Sequence, residues 1–195
     1  MKAYYERRAP EYDDWWRGTG LFTDRPRPGW DVERAALTRT LEALAPARTL
    51  DVACGTGFVT RHLPGEITGL DQSESMLELA ADKLPDVEFV RADALDLPFE
   101  DNALERVFTS FFYGHLEEPE RSVFLREARR VAPELVVVDS ALTDDVQPVE
   151  WQERILTDGS RWQVYKRFFA AEELAEELGG GRTLFAGRWF VTVRA

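Results

Sequence analysis

The 195-residue sequence has few of the side chains that cross-link or metallate a small domain: one cysteine, Cys54, and two histidines, His62 and His115. A single cysteine excludes an internal disulfide and any zinc site built from several thiolates, so no metal is expected. No apolar run is long enough to cross a bilayer. The N-terminal residues lack the apolar core of a signal peptide, and a cytoplasmic protein with no membrane partner is expected. Positive charge is scarce: 24 lysines and arginines face 36 aspartates and glutamates, for a net charge of −12. That balance opposes binding to phosphate backbones, and no basic cluster with interleaved aromatics offsets it, so no nucleic-acid partner is expected. Internal repeats and low-complexity tracts are also missing.

What is present fits a globular α/β protein. Apolar residues make up 44% and charged residues 31%, and the length suits one domain over 1–195 with one well-buried core. Residues 1–30 stand apart as an aromatic arm. Tyr4, Tyr5, Tyr12, Trp15, Trp16, Phe22 and Trp30 crowd between breaks at Pro10, Pro26 and Pro28. The arm reads either as a lid over a site or as a segment packed by its aromatics against the body.

From 31 to 195, apolar strands alternate with amphipathic stretches. Strands are predicted at Thr49–Val52, Glu66–Leu70, Val87–Arg91, Arg106–Ser110 and Leu135–Val138. Helices are predicted after Asp31 as cap, after Phe58, after a Ser75–Glu78 capping box, and from Pro119 to Arg130. Asp158-Gly159 signals a hairpin, a helix follows over 171–178, and two strands close the chain. Strands alternating with helices at this spacing predict a mostly parallel sheet.

The most informative segment is Thr49–Gly57, an apolar strand that stops in a glycine loop. Gly55 and Gly57 permit a tight turn and close approach of a ligand to the backbone. Asp71 ends the second strand, where a doubly wound sheet meets ribose hydroxyls, and Asp93-Ala94 follows the third. Three strand ends therefore offer polar groups to one nucleoside-like ligand.

This set resembles the class I S-adenosylmethionine-dependent methyltransferases, especially small single-domain members acting on small molecules. The resemblance implies a Rossmann-like, doubly wound, seven-stranded sheet, mostly parallel with one antiparallel C-terminal strand. It implies S-adenosyl-L-methionine as cofactor and S-adenosyl-L-homocysteine as product. Asp51, Ala53, Gly55 and Gly57 match the first motif, with Ala53 where the family most often has glycine; a small shift of the methionine tail is expected. Asp71 matches the ribose-binding acid, Asp93 and Ala94 the pair beside adenine. Tyr12 matches an arm tyrosine that often touches the cofactor. Gln72, Met76 and Ser110 complete the implied cofactor set.

Phe111–His115 follows the fourth strand, where the family places its reacting substrate. It lacks the Asn/Asp-Pro-Pro-aromatic and Pro-Cys motifs of enzymes that methylate nucleic-acid bases, which points to a small-molecule acceptor. His115 reads either as a general base or as a packed histidine. Tyr5, Trp15, Trp16, Phe111, Tyr113, Trp151 and Tyr165 are candidate walls of the acceptor pocket. Cys54 reads as a small residue in a tight loop, since no base is placed to activate it. Two other functions share these features: a non-catalytic cofactor-binding module that regulates or stabilises a partner, and an NAD(P)-dependent reductase. Short-chain reductases need Tyr-x-x-x-Lys, and no tyrosine here has a lysine four positions later. Acceptor atom and oligomeric state are not readable.

Overall fold

The computed structural model describes residues 2–195. The strands are β1 (Ala47–Val52), β2 (Gly65–Asp71), β3 (Glu88–Arg91), β4 (Arg106–Ser110), β5 (Glu134–Ser140), β6 (Val149–Ile155), β7 (Arg161–Arg167), β8 (Arg182–Ala186) and β9 (Phe190–Arg194). The helices are α1 (Lys2–Arg8), α2 (Asp14–Arg17), α3 (Trp30–Glu42), α4 (Glu74–Lys83), α5 (Glu118–Val131) and α6 (Ala171–Glu177). Seven strands form one sheet in the order β3-β2-β1-β4-β5-β9-β8, while β6 and β7 pair separately. Within the seven, β9 alone runs against its neighbours β5 and β8. The fold is therefore the mostly parallel α/β sheet that the strand–helix alternation predicts, with the seven strands and the one antiparallel strand that the resemblance implies.

Strand β5 shows why the sheet is covered on both faces. Leu135 and Val137 pack with Phe124 and Ala128 of α5 and Leu174 of α6. The intervening Val136 and Val138 pack with Leu37 and Leu41 of α3 and with Trp16 of the arm. Alternate side chains point to opposite faces, so a strand apolar at every position must be buried on both. The chain runs outward from β1 to β3, then returns to place β4 on the other side of β1. That reversal opens a crevice at the carboxyl ends of β1 and β4.

Several local expectations are corrected. Gly29, left-handed at φ +78°, and not Asp31, occupies the cap position of α3. The segment after Phe58 makes only a short 3-10 turn, Thr60–His62, before the next strand begins at Gly65. Helix α4 is capped by Ser73, whose hydroxyl accepts from Met76 N at 3.2 Å, and not by a Ser75–Glu78 box. Its next free amides, Glu74 N and Ser75 N, donate to the Glu6 carboxylate of the arm at 2.9 and 3.1 Å. A cap supplied from 68 residues away leaves no local sequence signal.

Candidate cofactor and acceptor site

The crevice is a cleft holding about 1000 Å³ of open space, built by the ends of four adjacent strands. Ala53 and Gly55 come from β1, Asp71 and Gln72 from β2, Asp93 and Ala94 from β3, Ser110 and Phe111 from β4. Met76 of α4 and Tyr12 of the arm complete the wall. Leu70, Ala92, Leu95, Phe112, Leu116 and Glu120 also line it. These have no individual sequence signal, being the apolar or surface neighbours of motif residues.

The loop geometry explains the glycines. Gly55 has φ +55°, and a Cβ there would lie 3.4 Å from the Tyr12 ring. Gly57 has φ +72°, and its Cβ would press the Leu84 side chain at 2.8 Å. Gly57 therefore seats the loop on α4 and does not line the cleft. Ala53 also sits in the left-handed region, at φ +58°. Left-handed backbone costs an L-residue about 1–2 kcal/mol, the physical reason a glycine suits this position.

Asp71 organises the loop. Its Oδ2 accepts from Gly55 N and its Oδ1 from Ser73 N, both at 2.9 Å. Each oxygen retains acceptor capacity toward the cleft. Burial raises its pKa against these two hydrogen bonds. Asp51 lies fully buried behind the loop and does not line the cleft. Thr60 donates to its Oδ2 at 2.6 Å, while Oδ1 has no partner among the described residues. Burial, with a further push from Asp71, raises the Asp51 pKa to about 7. Asp93 is exposed at the rim, where its Oδ1 accepts from Leu95 N at 2.9 Å. Cys54 is buried, and burial with the nearby Asp51 and Asp71 pushes its thiol well up, which suits an inert packing residue.

The donor set suits a nucleoside with an aliphatic tail. The Asp71 and Asp93 carboxylates can accept from hydroxyl or amine groups, and Gly55 admits close approach to the backbone. When ionised, Asp51 places a buried negative charge behind the loop.

A second cleft adjoins the first. Tyr5, Tyr12, Phe111 and His115 line both, and so form the partition between them. His115 Nδ1 lies 2.6 Å from Tyr165 O, which fixes the proton on Nδ1 and leaves Nε2 as an acceptor. Burial, then the charge of Lys166, holds the imidazole pKa well below its usual value, so the ring is neutral at physiological pH. Phe111, at φ +54°, is turned sharply out of β4.

Of the candidate acceptor walls, Tyr5, Trp15 and Phe111 line the second cleft and the others do not. Trp16 is buried, stacked on Phe58 at 5.0 Å. Tyr113 is fully buried between Phe124 and Phe169, its hydroxyl donating to Glu177 at 2.7 Å. Trp151 is 61% exposed on the outward face of β6. Tyr165 faces Trp151 and contributes only its carbonyl, to His115. Period-two alternation sends Trp151 and Tyr165 to one face of the hairpin and Gln152, Arg154 and Lys166 to the cleft. Arg8, Arg25, Arg154, Lys166 and Arg188, spread along the chain, carry no motif and are not found from sequence. His62 is a surface residue, 3.2 Å from Glu42. No group of residues suited to hold a metal occurs among the described residues, and none of their helices is long and apolar enough to cross a membrane.

Residues 49–134 match the family model described as a methyltransferase domain. A demethylmenaquinone methyltransferase of Thermotoga maritima is 43% identical over 109 residues, 53% of this chain and 47% of that protein. The Staphylococcus aureus protein of the same name is 42% identical over 109 residues, 51% of this chain and 44% of its own length. The chain thus spans just under half the length of these curated relatives. Among solved structures, a DhpI–SAM–HEP complex is 26% identical with a TM-score of 0.76, covering 98% of this chain and 94% of that one. A DhpI–SAH complex is 27% identical with a TM-score of 0.73, covering 98% and 92%. The fold alone is shared with the [4+2]-cyclase SpnF, 22% identical with a TM-score of 0.59 over 91% of this chain and 70% of that one.

Proposed function

We propose, from the premise that this chain belongs to the class I S-adenosylmethionine-dependent methyltransferases, that it transfers a methyl group to a small-molecule acceptor. The observation that carries the reading is the pair of adjoining clefts divided by Tyr5, Tyr12, Phe111 and His115. One cleft has the polar groups for the cofactor and the other is large enough for an acceptor. When bound, S-adenosylmethionine supplies an electrophilic methyl on a sulfonium. Asp71 would accept from the ribose hydroxyls and Asp93 with the Ala94 N–H would hold the adenine, while Tyr12 covers the loop at Gly55.

The partition residues align the acceptor and exclude water, which suffices when the reaction is intrinsically favourable. Where the acceptor must lose a proton, Nε2 of His115 takes it. Residues 1–195 act as one unit, with 1–30 forming the arm over both clefts. A small molecule as partner and the cytoplasm as setting belong to the same reading. The net charge of −12 supports the first by repelling nucleic acid.

The SpnF likeness keeps a second reading in play, since this fold also serves proteins of other activity. A non-catalytic cofactor-binding module would have the same first cleft. Incubation with methyl-labelled S-adenosylmethionine and a broad acceptor panel separates the two. Transfer of label to an acceptor is expected; tight cofactor binding with label never leaving the cofactor would favour the module.

A further inference from the structure

The second cleft has the opposite charge to the protein around it. Arg8, Arg25, Arg154, Lys166 and Arg188 line it, in a chain of net charge −12. Most of its other charges are answered within the fold. Lys166 is paired with buried Asp139 at 2.5 Å and Arg188 with Asp145 at 2.9 Å. The lining acid Glu153 is engaged by Arg161 at 2.7 Å.

Arg8, Arg25 and Arg154 are different. Among the described residues, none of the three has a carboxylate within ion-pair distance. Arg25 lies over the Phe22 ring at 5.6 Å. Arg8 donates to the Tyr4 hydroxyl and lies over the Tyr12 ring at 5.2 Å. Arg154 donates to the Gln152 side chain, and its buried Nε has no partner among the described residues. Burial and the charge of Arg8 pull the Arg154 pKa down, the sign of a cation held where its charge is unanswered. Both guanidiniums, with Lys166, also help to hold His115 neutral. A buried donor without a partner and two like charges facing one space both destabilise the empty site. An anion entering that space relieves both, and a planar guanidinium fork matches an oxyanion in geometry.

We infer that the acceptor carries an oxyanion, a carboxylate or a phosphoryl or sulfonyl group, held by Arg8 and Arg154. Its uncharged part rests on the aromatic walls Trp15, Phe111 and Phe168. The inference rests on the methyltransferase reading and narrows its substrate class. All five cations lie outside residues 49–134, the part that matches the family model, so this chemistry belongs to the chain's own arm, its β6–β7 hairpin and its β8–β9 turn.

The test is calorimetry on the full chain saturated with S-adenosylhomocysteine, titrated with phenylphosphonate, benzoate and uncharged benzamide. At least one anion should bind at least tenfold more tightly than benzamide, and less tightly as salt rises. Arg154→Gln and Arg8→Gln should each weaken that anion about tenfold or more, with Arg154→Lys retaining part of the affinity. The S-adenosylhomocysteine dissociation constant should stay within about twofold. Benzamide binding as tightly as both anions in the wild-type protein overturns the inference, whatever the variants do. So do arginine variants that weaken S-adenosylhomocysteine and spare the anion, since the guanidiniums would then hold the cofactor's own carboxylate. If the wild-type chain does not bind S-adenosylhomocysteine at all, the methyltransferase reading falls as well.

Discussion

At the scale of single residues, the site divides into positions that a motif reveals and positions that only geometry reveals. Gly55, Asp71 and Asp93 are legible because each sits at a fixed step after a strand, and the chain's own alternation marks the strands. His115 is legible as a residue but not as a chemical group. Its tautomer is set by Tyr165 O, and its low pKa comes first from burial and then from Lys166, Arg154 and Arg8, all remote in sequence. The sign of its pH dependence follows. A base must be neutral, so activity is present above its pKa and lost as pH falls through it. With that pKa held well below 6.5, the contribution of His115 to turnover should be constant from about pH 6.5 to 8 and fall only in acid, so a change near pH 7 would belong to Asp51 behind the loop. For an acceptor that must lose a proton, His115→Gln should lower turnover by about 10²–10⁴-fold and leave cofactor affinity nearly intact. Steady-state rates across pH for both proteins measure this. A variant that keeps most of its turnover makes His115 a packing residue and alignment the whole of catalysis.

At the scale of elements, the arm and the β6–β7 hairpin are where sequence reading was weakest. The strands of the main sheet announce themselves by burial on both faces. The arm's aromatics show that it packs, but not on what. In the structure it is tied at several points. Buried Asp13 accepts from Thr56 Oγ1 of the glycine loop and pairs with Lys83 at 2.7 Å. Glu6 caps α4, and Glu11 accepts from Thr157 N in the hairpin turn at 2.9 Å. The arm is thus joined to the cofactor loop on one side and to the acceptor-side hairpin on the other. Tyr5 and Tyr12 of the arm line both clefts, so ligands bound there would contact it and should steady it. Hydrogen exchange across residues 1–30 is expected to slow when cofactor product and an acceptor are added together. Equal protection with and without ligands would mean that the arm is static packing. The same hairpin explains the misplaced wall residues. Trp151 and Tyr165 were attractive as aromatics, yet the strand alternation directs the polar and cationic positions to the cleft and these two away from it.

At the scale of the whole molecule, the topology places the crevice and the charge distribution sets the second cleft apart. Reversal of strand order between β1 and β4 creates one crevice, and every motif residue that lines it comes from a strand end, from α4 or from the arm. That part was readable because local spacing encodes it. The second cleft was not, because its cations converge from both ends of the chain and oppose the sign of the total charge. The central claim is that the first cleft binds S-adenosylmethionine through Asp71. It is tested most directly by calorimetric titration of the wild-type chain and Asp71→Ala with S-adenosylhomocysteine and with NADH. One-to-one binding of S-adenosylhomocysteine and none of NADH is expected. Asp71→Ala should weaken that binding by about 1.5–3 kcal/mol, the scale of hydrogen bonds to a charged group. Tight binding of NADH with none of S-adenosylhomocysteine, or a folded Asp71→Ala variant with unchanged affinity, would contradict the account.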